Sequence, residues 1–262
     1  MYQFIKSSVT GRVGTITLNR PEASNAFRYE SYGEIRHAVE MFSQDPDIGA
    51  IVITGEGKHF SAGGDIARFK TLIENGEYLD AENIYYAGEM TKAIRRSPKP
   101  VIAMINGVAT GAGLSLCLAC DFRVVDNTSR LIMGFIKLGL PGDTGSIYLL
   151  ARLIGVEKAS KMMMTGETAT GETAVEMGLA TLFAQEGELS EVAYAFADTL
   201  SNMPSKAIAR QKKLLADYFY KDLEQYYQDE AGSMAASARE PDFAEAVYAF
   251  LERRAPQYNK EN

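Results

Sequence analysis

The feature that most limits how this chain can fold is a run of twenty residues without a formal charge, Val101 to Cys120. Twenty residues would suffice to cross a membrane as one helix. The run follows Pro100, however, and Asn106-Gly107, Gly111 and Gly113 interrupt it. A turn signal inside an apolar run divides it into a short strand, a loop and a short helix. Both pieces must then be covered by protein, which excludes a membrane span and calls for a sheet buried on both faces.

The flanking sequence has the same character. Val13 to Leu18 alternates like a strand and stops at Asn19-Arg20-Pro21, and Ala50 to Thr54 is a buried strand closed by Gly55 and Gly57. Val101 to Ile105 and Phe122 to Val125 supply two more strands. Between them, Tyr29 to Phe42 places Tyr32, Ile35, Val39 and Phe42 on one helical face, residues 80–96 read as a helix ended by Pro98 and Pro100, and Leu114 to Ala119 as another. Strands alternating with helices predict an α/β fold with largely parallel pairing. From Leu189 onward only helical patterns occur, broken by Pro204 and Pro241. The expected organisation is a strand-and-helix core over 1–187 and a helical region over 188–262, joined as one domain. Tyr218, Phe219, Tyr220, Tyr226 and Tyr227 load that helical region with aromatic side chains, a composition that suits a subunit interface.

Charge narrows the partners. Lys and Arg total 27 against 34 Asp and Glu, leaving a net charge of −7. No chain-wide basic footprint for nucleic acid or an anionic membrane is present. The N-terminal residues show no basic stretch followed by a long apolar one, so a cytoplasmic protein is expected. Cys117 and Cys120 form a C-x-x-C inside an apolar helix, which points to packing rather than to redox work. His37 and His59 are not spaced with them for zinc, and no metal is expected. Asp143-Thr144-Gly145-Ser146 spells an aspartic-protease motif, but that chemistry requires two such carboxyl groups and the motif occurs once.

Two glycine-containing loops carry more weight. Phe60-Ser61-Ala62-Gly63-Gly64-Asp65-Ile66 and Asn106-Gly107-Val-Ala-Thr-Gly111-Ala112-Gly113 each follow a strand and open a helix. Amides at such positions point outward, and two loops on successive units can aim them at one oxygen that gains charge during a reaction. A third segment, Leu138-Gly139-Leu140-Pro141-Gly142-Asp143, leads into another helix. On spacing alone, Asp143 reads first as a cap for that helix.

Taken together these motifs resemble the crotonase family of enoyl-CoA hydratases and isomerases. The resemblance runs through Asn19-Arg20-Pro21, the Phe60–Ile66 loop, Pro100 to Gly107, Ala119 to Arg123, the Leu138–Ser146 segment and Asp242 to Arg254. It implies a crotonase fold of repeated ββα units, a helical C-terminal region that mediates oligomerisation as a homotrimer or hexamer, and an acyl-CoA thioester substrate. CoA would be part of the substrate, with no separate cofactor. The oxyanion donors fall on the N–H groups of Gly64 and Ala112. Ser24, Ala26, Ala62, Asp65 and Ile66 match the stretch along CoA, with Phe135 and Leu140 toward the acyl group. Asp65 is equally suited to holding its own loop together.

The departures are informative. The two glutamates of the family's hydratases correspond to Ser115 and Phe135, so hydration is not expected. Asp143 matches the single aspartate of the family's enoyl-CoA and ring-epoxide isomerases, and also the nucleophile of the 4-chlorobenzoyl-CoA dehalogenases. This match reverses the reading of Asp143 as a cap. In the dehalogenases a histidine serves as base where this chain has Gly88, with Glu89 beside it, and a tryptophan stands where it has Phe135. The expectation is an isomerase with Asp143 as its acid–base group. A hydrolase or dehalogenase of aromatic acyl-CoA, and a non-catalytic CoA-ester or RNA binder, are the alternatives.

Overall fold

The apolar strand patterns fold where the sequence places them. The computed structural model describes residues 2–259. β1 (Ile5–Thr10) and β2 (Val13–Leu18) form a hairpin, followed by α1 (Tyr29–Gln44) and β3 (Ala50–Gly55). Then come α2 (Ile66–Glu74), α3 (Ala81–Arg96), β4 (Val101–Ile105), β5 (Val108–Thr110) and α4 (Ala112–Ala119). β6 (Phe122–Val125) and β7 (Arg130–Ile132) precede α5 (Ser146–Ile154) and α6 (Val156–Thr165). β8 (Thr168–Thr170), α7 (Gly171–Glu176) and β9 (Leu182–Phe183) complete the strands. The helices α8 (Leu189–Ser201), α9 (Ser205–Leu214), α10 (Leu223–Ser237) and α11 (Pro241–Leu251) finish the described chain.

A six-stranded sheet runs β1-β2-β3-β4-β6-β9, parallel except for the β1–β2 hairpin. Every residue of β3 and β4 is buried, as their unbroken apolar sequence requires. On one face Ile16, Ile51, Ile53 and Ile105 join Ile35 of α1, Ile94 of α3 and Leu116 of α4 in the main core. On the other, Val52, Ile102 and Val124 pack with Leu189, Ala193 and Ala197 of α8. Among the described residues β9 is the last strand and only helices follow it, and α8 is a layer of the core itself. Residues 260–262 of the expected helical region lie outside the described residues.

The uncharged run divides into β4, β5 and α4, and among the described residues no helix is long and apolar enough to cross a membrane. Cys117 and Cys120 are free and buried in α4 and at its end.

The sequence reading missed β9, which is two residues long, and two further groups of strands. β1 is exposed at all but Ile5, so it has no apolar alternation to read. A second sheet, β5-β7-β8, consists of strands of three residues each, too short for a period. The expected direct passage from the loop at Asn106 into a helix is therefore corrected: β5 lies between them.

Candidate active site

The small sheet does structural work at the two loops. Ser61 bridges Ala109 in parallel, with Ser61 N–H donating to Val108 O at 3.0 Å and Thr110 N–H donating to Ser61 O at 3.1 Å. This bridge sets the loops side by side, and three residues beyond it on each lie Gly64 and Ala112. The approach is close. Gly63 has φ +79°, and a Cβ there would come within 2.6 Å of Thr110 O and 3.3 Å of Ala112 N. Only glycine suits that position. Ala112 is the first residue of α4, where an amide has no partner within the helix. Gly64 and Ala112 both line one cavity of about 470 Å³.

Asp143 lines the same cavity. It does not cap α5: the N-cap of that helix is Gly145, and no side chain caps it. The Asp143 carboxyl accepts one hydrogen bond, from Thr144 Oγ1 at 3.1 Å, and has no ion-pair partner among the described residues. Its main-chain oxygen is held by Ser146 N–H at 3.1 Å and by Ser115 Oγ at 3.3 Å. Burial without a compensating cation pushes the carboxyl up to about 6, against a small opposing effect of the Thr144 hydroxyl. Such a group can both accept and return a proton near neutral pH.

Other expected residues separate into two sets. Ala62, Ile66, Phe135 and Leu140 line the cavity with Asp143. Ser24, Ala26 and Asp65 stand behind its wall. Ser24 O accepts Ala62 N–H at 2.9 Å, Ala26 O accepts from Arg20 at 2.8 Å, and Ser24 and Asn25 both take left-handed backbone conformations. The Asp65 carboxylate caps α2 through the Ala67 and Arg68 amides and pairs with Arg20 at 3.1 Å and Arg28 at 3.6 Å. Its place is thus that of a loop-holding group. Glu89 pairs with Lys92 at 2.7 Å and is not among the lining residues.

Two neighbours of Asp143 escaped the sequence reading. Tyr32 lines the cavity, and burial together with the Asp143 charge raises its hydroxyl well above the usual tyrosine range. Its apolar helical spacing concealed it. Glu230 of α10 is 6% exposed and has no ion-pair partner among the described residues; its oxygens accept the Gly145 N–H at 2.8 Å and the Tyr226 hydroxyl at 3.0 Å. A visible signal existed, because Glu230 lies on the same helical stripe as Leu223, Tyr227 and Met234, all buried. Two further carboxyl groups, Glu77 and Asp80, line the cavity from exposed positions. Among the described residues no three His, Cys, Asp or Glu side chains gather to hold a metal ion.

Comparison with known proteins agrees with this architecture. A family model described as enoyl-CoA hydratase/isomerase matches residues 8–261. The chain is 30% identical over 262 residues to a 1,2-epoxyphenylacetyl-CoA isomerase of Escherichia coli, spanning 98% of this chain and 99% of the relative. It is 36% identical over 248 residues to a probable enoyl-CoA hydratase of Mycobacterium leprae, spanning 94% of each. A crystal structure of an enoyl-CoA hydratase from Mycobacterium avium subsp. paratuberculosis superposes with a TM-score of 0.89 at 27% identity, covering 98% of this chain and 99% of that one.

Proposed function

The chain belongs to the enoyl-CoA hydratase/isomerase family, and on that premise we propose that it is an acyl-CoA isomerase with Asp143 as its single acid–base residue. The observation that carries this reading is the lone half-buried carboxyl on the cavity wall shared with Gly64 and Ala112. The Asp143 carboxylate removes a proton from a carbon next to the thioester carbonyl or one vinylogous position away. The electron pair moves into the carbonyl, and the Gly64 and Ala112 amides bind the resulting enolate oxygen. The proton on the half-buried Asp143 carboxyl exchanges with solvent, and Asp143 delivers a proton to the other end of the conjugated system, so the double bond shifts with no net gain or loss of atoms. Loss of one main-chain donor of this kind costs roughly 2.7–4 kcal/mol of transition-state stabilisation.

The surroundings favour this chemistry over its rivals. Hydration needs a second carboxyl group to place the water, and the positions matched to the hydratase glutamates hold Ser115, which is fully buried and bonds to main-chain oxygens, and apolar Phe135. Hydrolysis through an ester on Asp143 needs a base for water. A Cβ at Gly88 would already lie 2.8 Å from the Tyr227 ring, so the position matched to the dehalogenase histidine has no room for a side chain. The CoA moiety is assigned to the mouth near Ala62, Ile66 and Arg68, with the acyl group toward Leu140, Ala87 and Met234. Leu214, Leu215, Tyr218 and Phe219 remain exposed and suit the expected homotrimer or hexamer, whereas Tyr227 is buried within the chain.

The test is a panel of 3-enoyl-, epoxy- and haloaryl-CoA esters incubated in deuterium oxide. Isomerised product carrying deuterium at the α or γ carbon is expected. Halide release, or hydroxyacyl product without isomerisation, would overturn the proposal.

A further inference from the structure

Helix α10 brings a second buried carboxyl group behind the turn that carries Asp143. Glu230 Oε2 accepts the Gly145 amide at 2.8 Å, and Oε1 is held by the Tyr226 hydroxyl at 3.0 Å. Tyr227 closes on the same place from the same helix: a Cβ on Gly145 would lie 2.9 Å from its hydroxyl. The turn held in this way is strained, with Thr144 at φ +53° beside Gly145 at +82°. A left-handed non-glycine residue persists when its surroundings over-determine it. Within the turn, the only side chain bonded to the Asp143 carboxyl is Thr144. The chain of support therefore runs from Glu230 to Gly145, to Thr144, to the Asp143 carboxyl.

Building on the isomerase reading above, we propose that Glu230 is a positioning residue for that reaction, pinning the Gly145 amide so that the Asp143 carboxyl stays on the cavity wall. It is not among the residues lining the cavity and acts through the turn.

The electrostatics agree with the geometry. Burial pushes the Glu230 carboxyl up to about 8, with the Asp143 charge adding to the rise and the Gly145 amide opposing it. Two carboxyl groups this close share their titration, and the first charge falls on Asp143. The other ionisable groups around Glu230 are Tyr226 and Tyr227 on its own helix, Tyr148 of α5, and Glu89, Lys92 and Arg95 of α3 near Tyr227. Burial raises all three tyrosines above their ordinary value, and Lys92 is raised by its bonds to Glu224, Glu89 and Tyr85 despite burial. Ionisation of Glu230 in alkali places a second negative charge behind Asp143, which strengthens it as a base but slows the return of its proton to the enolate, the step that then limits turnover.

The experiment compares kcat and KM of the full-length protein, Glu230→Ala and Glu230→Gln, on a medium-chain 3-enoyl-CoA. A misplaced catalytic group lowers rate by on the order of 10²-fold, and that loss in kcat, with a smaller change in KM, is expected for Glu230→Ala. Glu230→Gln keeps an oxygen for the Gly145 amide and recovers most of the loss. Its kcat/KM still rises through about pH 6, and it lacks the fall that the parent's kcat/KM shows above about pH 8. The inference is overturned if Glu230→Ala retains parental kcat, or if Glu230→Gln keeps the alkaline fall. Should Glu230→Ala fail to fold, the Glu230→Gln profile decides alone. Asp143→Asn separates the two readings. If it isomerises at the parental rate, the proposed function fails, whereas an inactive Asp143→Asn beside parental Glu230 variants removes only the role of Glu230.

Discussion

Asp121 and Asp143 are both half-buried aspartates in loops at the ends of core elements, yet they are surrounded in opposite ways. Asp121 faces Lys212 and Arg95, the latter at 3.5 Å, and accepts the Val101 amide at 2.8 Å. Asp143 faces a hydroxyl, a tyrosine and a second carboxyl group, with no cation paired to it among the described residues. The cation cluster ties α9 and α3 to the start of β4. Around Asp143 the same burial is left uncompensated, so the carboxyl is held near the pH at which it exchanges protons. The contrast separates a carboxylate neutralised by cations from one left to titrate.

The sharpest way to break that contrast is Asp143→Asn. The loss of a general base is expected to lower kcat by about 10²–10⁴-fold, with acyl-CoA affinity little changed. The parental kcat/KM should rise with pH through about 6, as Asp143 ionises. Stability should respond in the opposite sense. Asp143 titrates at about 6 in the folded chain against 3.8 when unperturbed, so the unfolded state releases its proton first. Parental stability therefore falls as pH rises from about 4 to about 6, and the penalty persists above that window. Asp143→Asn escapes it, and the variant should be more stable than the parent by roughly 1–2 kcal/mol at pH 7 but not at pH 4. Thermal unfolding at the two pH values checks the sign. Equal destabilisation at both would mean that the carboxylate is held as firmly as Asp121.

Lys212→Ala probes the other half. Lys212 is 7% exposed, and burial pulls its ammonium below the ordinary lysine value while Asp121 acts against that shift. Removing one partner leaves Asp121 with Arg95 and a single amide, a loss expected to destabilise the fold by about 3 kcal/mol. Because the cluster is separate from the cavity, kcat at saturating substrate should not change. Denaturant unfolding with an unchanged slope measures the first, and an unaltered kcat the second. A large fall in kcat would mean that Arg95, which also lies near Tyr227, carries the disturbance from one region to the other.

Part of the cavity wall is legible in the sequence, and the reason is physical. Gly63, Gly64, Gly111 and Asp143 lie in loops whose short-range sequence dictates their backbone, so a local motif carries the message. The strands β3 and β4 were equally legible, since burial on both faces leaves a nearly continuous apolar run, and β2 was legible by its alternation. Glu230 was not. Its meaning depends on Gly145, eighty-five positions earlier in the chain, and no local pattern encodes such a separation. The aromatic residues of the C-terminal region divide for the same reason. Tyr227 fills the space over Gly88 while Tyr218 and Phe219 stay exposed, and only the path of α10 over α3 distinguishes them.

That contact supplies the smallest and most selective test. Gly88 lies within α3, where alanine is favoured over glycine by about 1 kcal/mol. Its Cβ, however, would meet Tyr227 Cδ1 at 2.8 Å, and Tyr227 is a fully packed ring bonded to Thr91. Overpacking of this kind costs about 1–3 kcal/mol, so Gly88→Ala should emerge destabilised by about 1 kcal/mol after the gain in helix propensity. The displacement falls on α10, one turn before Glu230, and should reach Asp143 through Gly145. A several-fold fall in kcat with KM unchanged is expected, although residue 88 is not among those lining the cavity. If Gly88→Ala is instead stabilised and keeps its kcat, α10 yields without moving the turn. The Asp143 side would then owe its geometry to its loop alone, unlike the amide side, which the Ser61–Ala109 bridge holds.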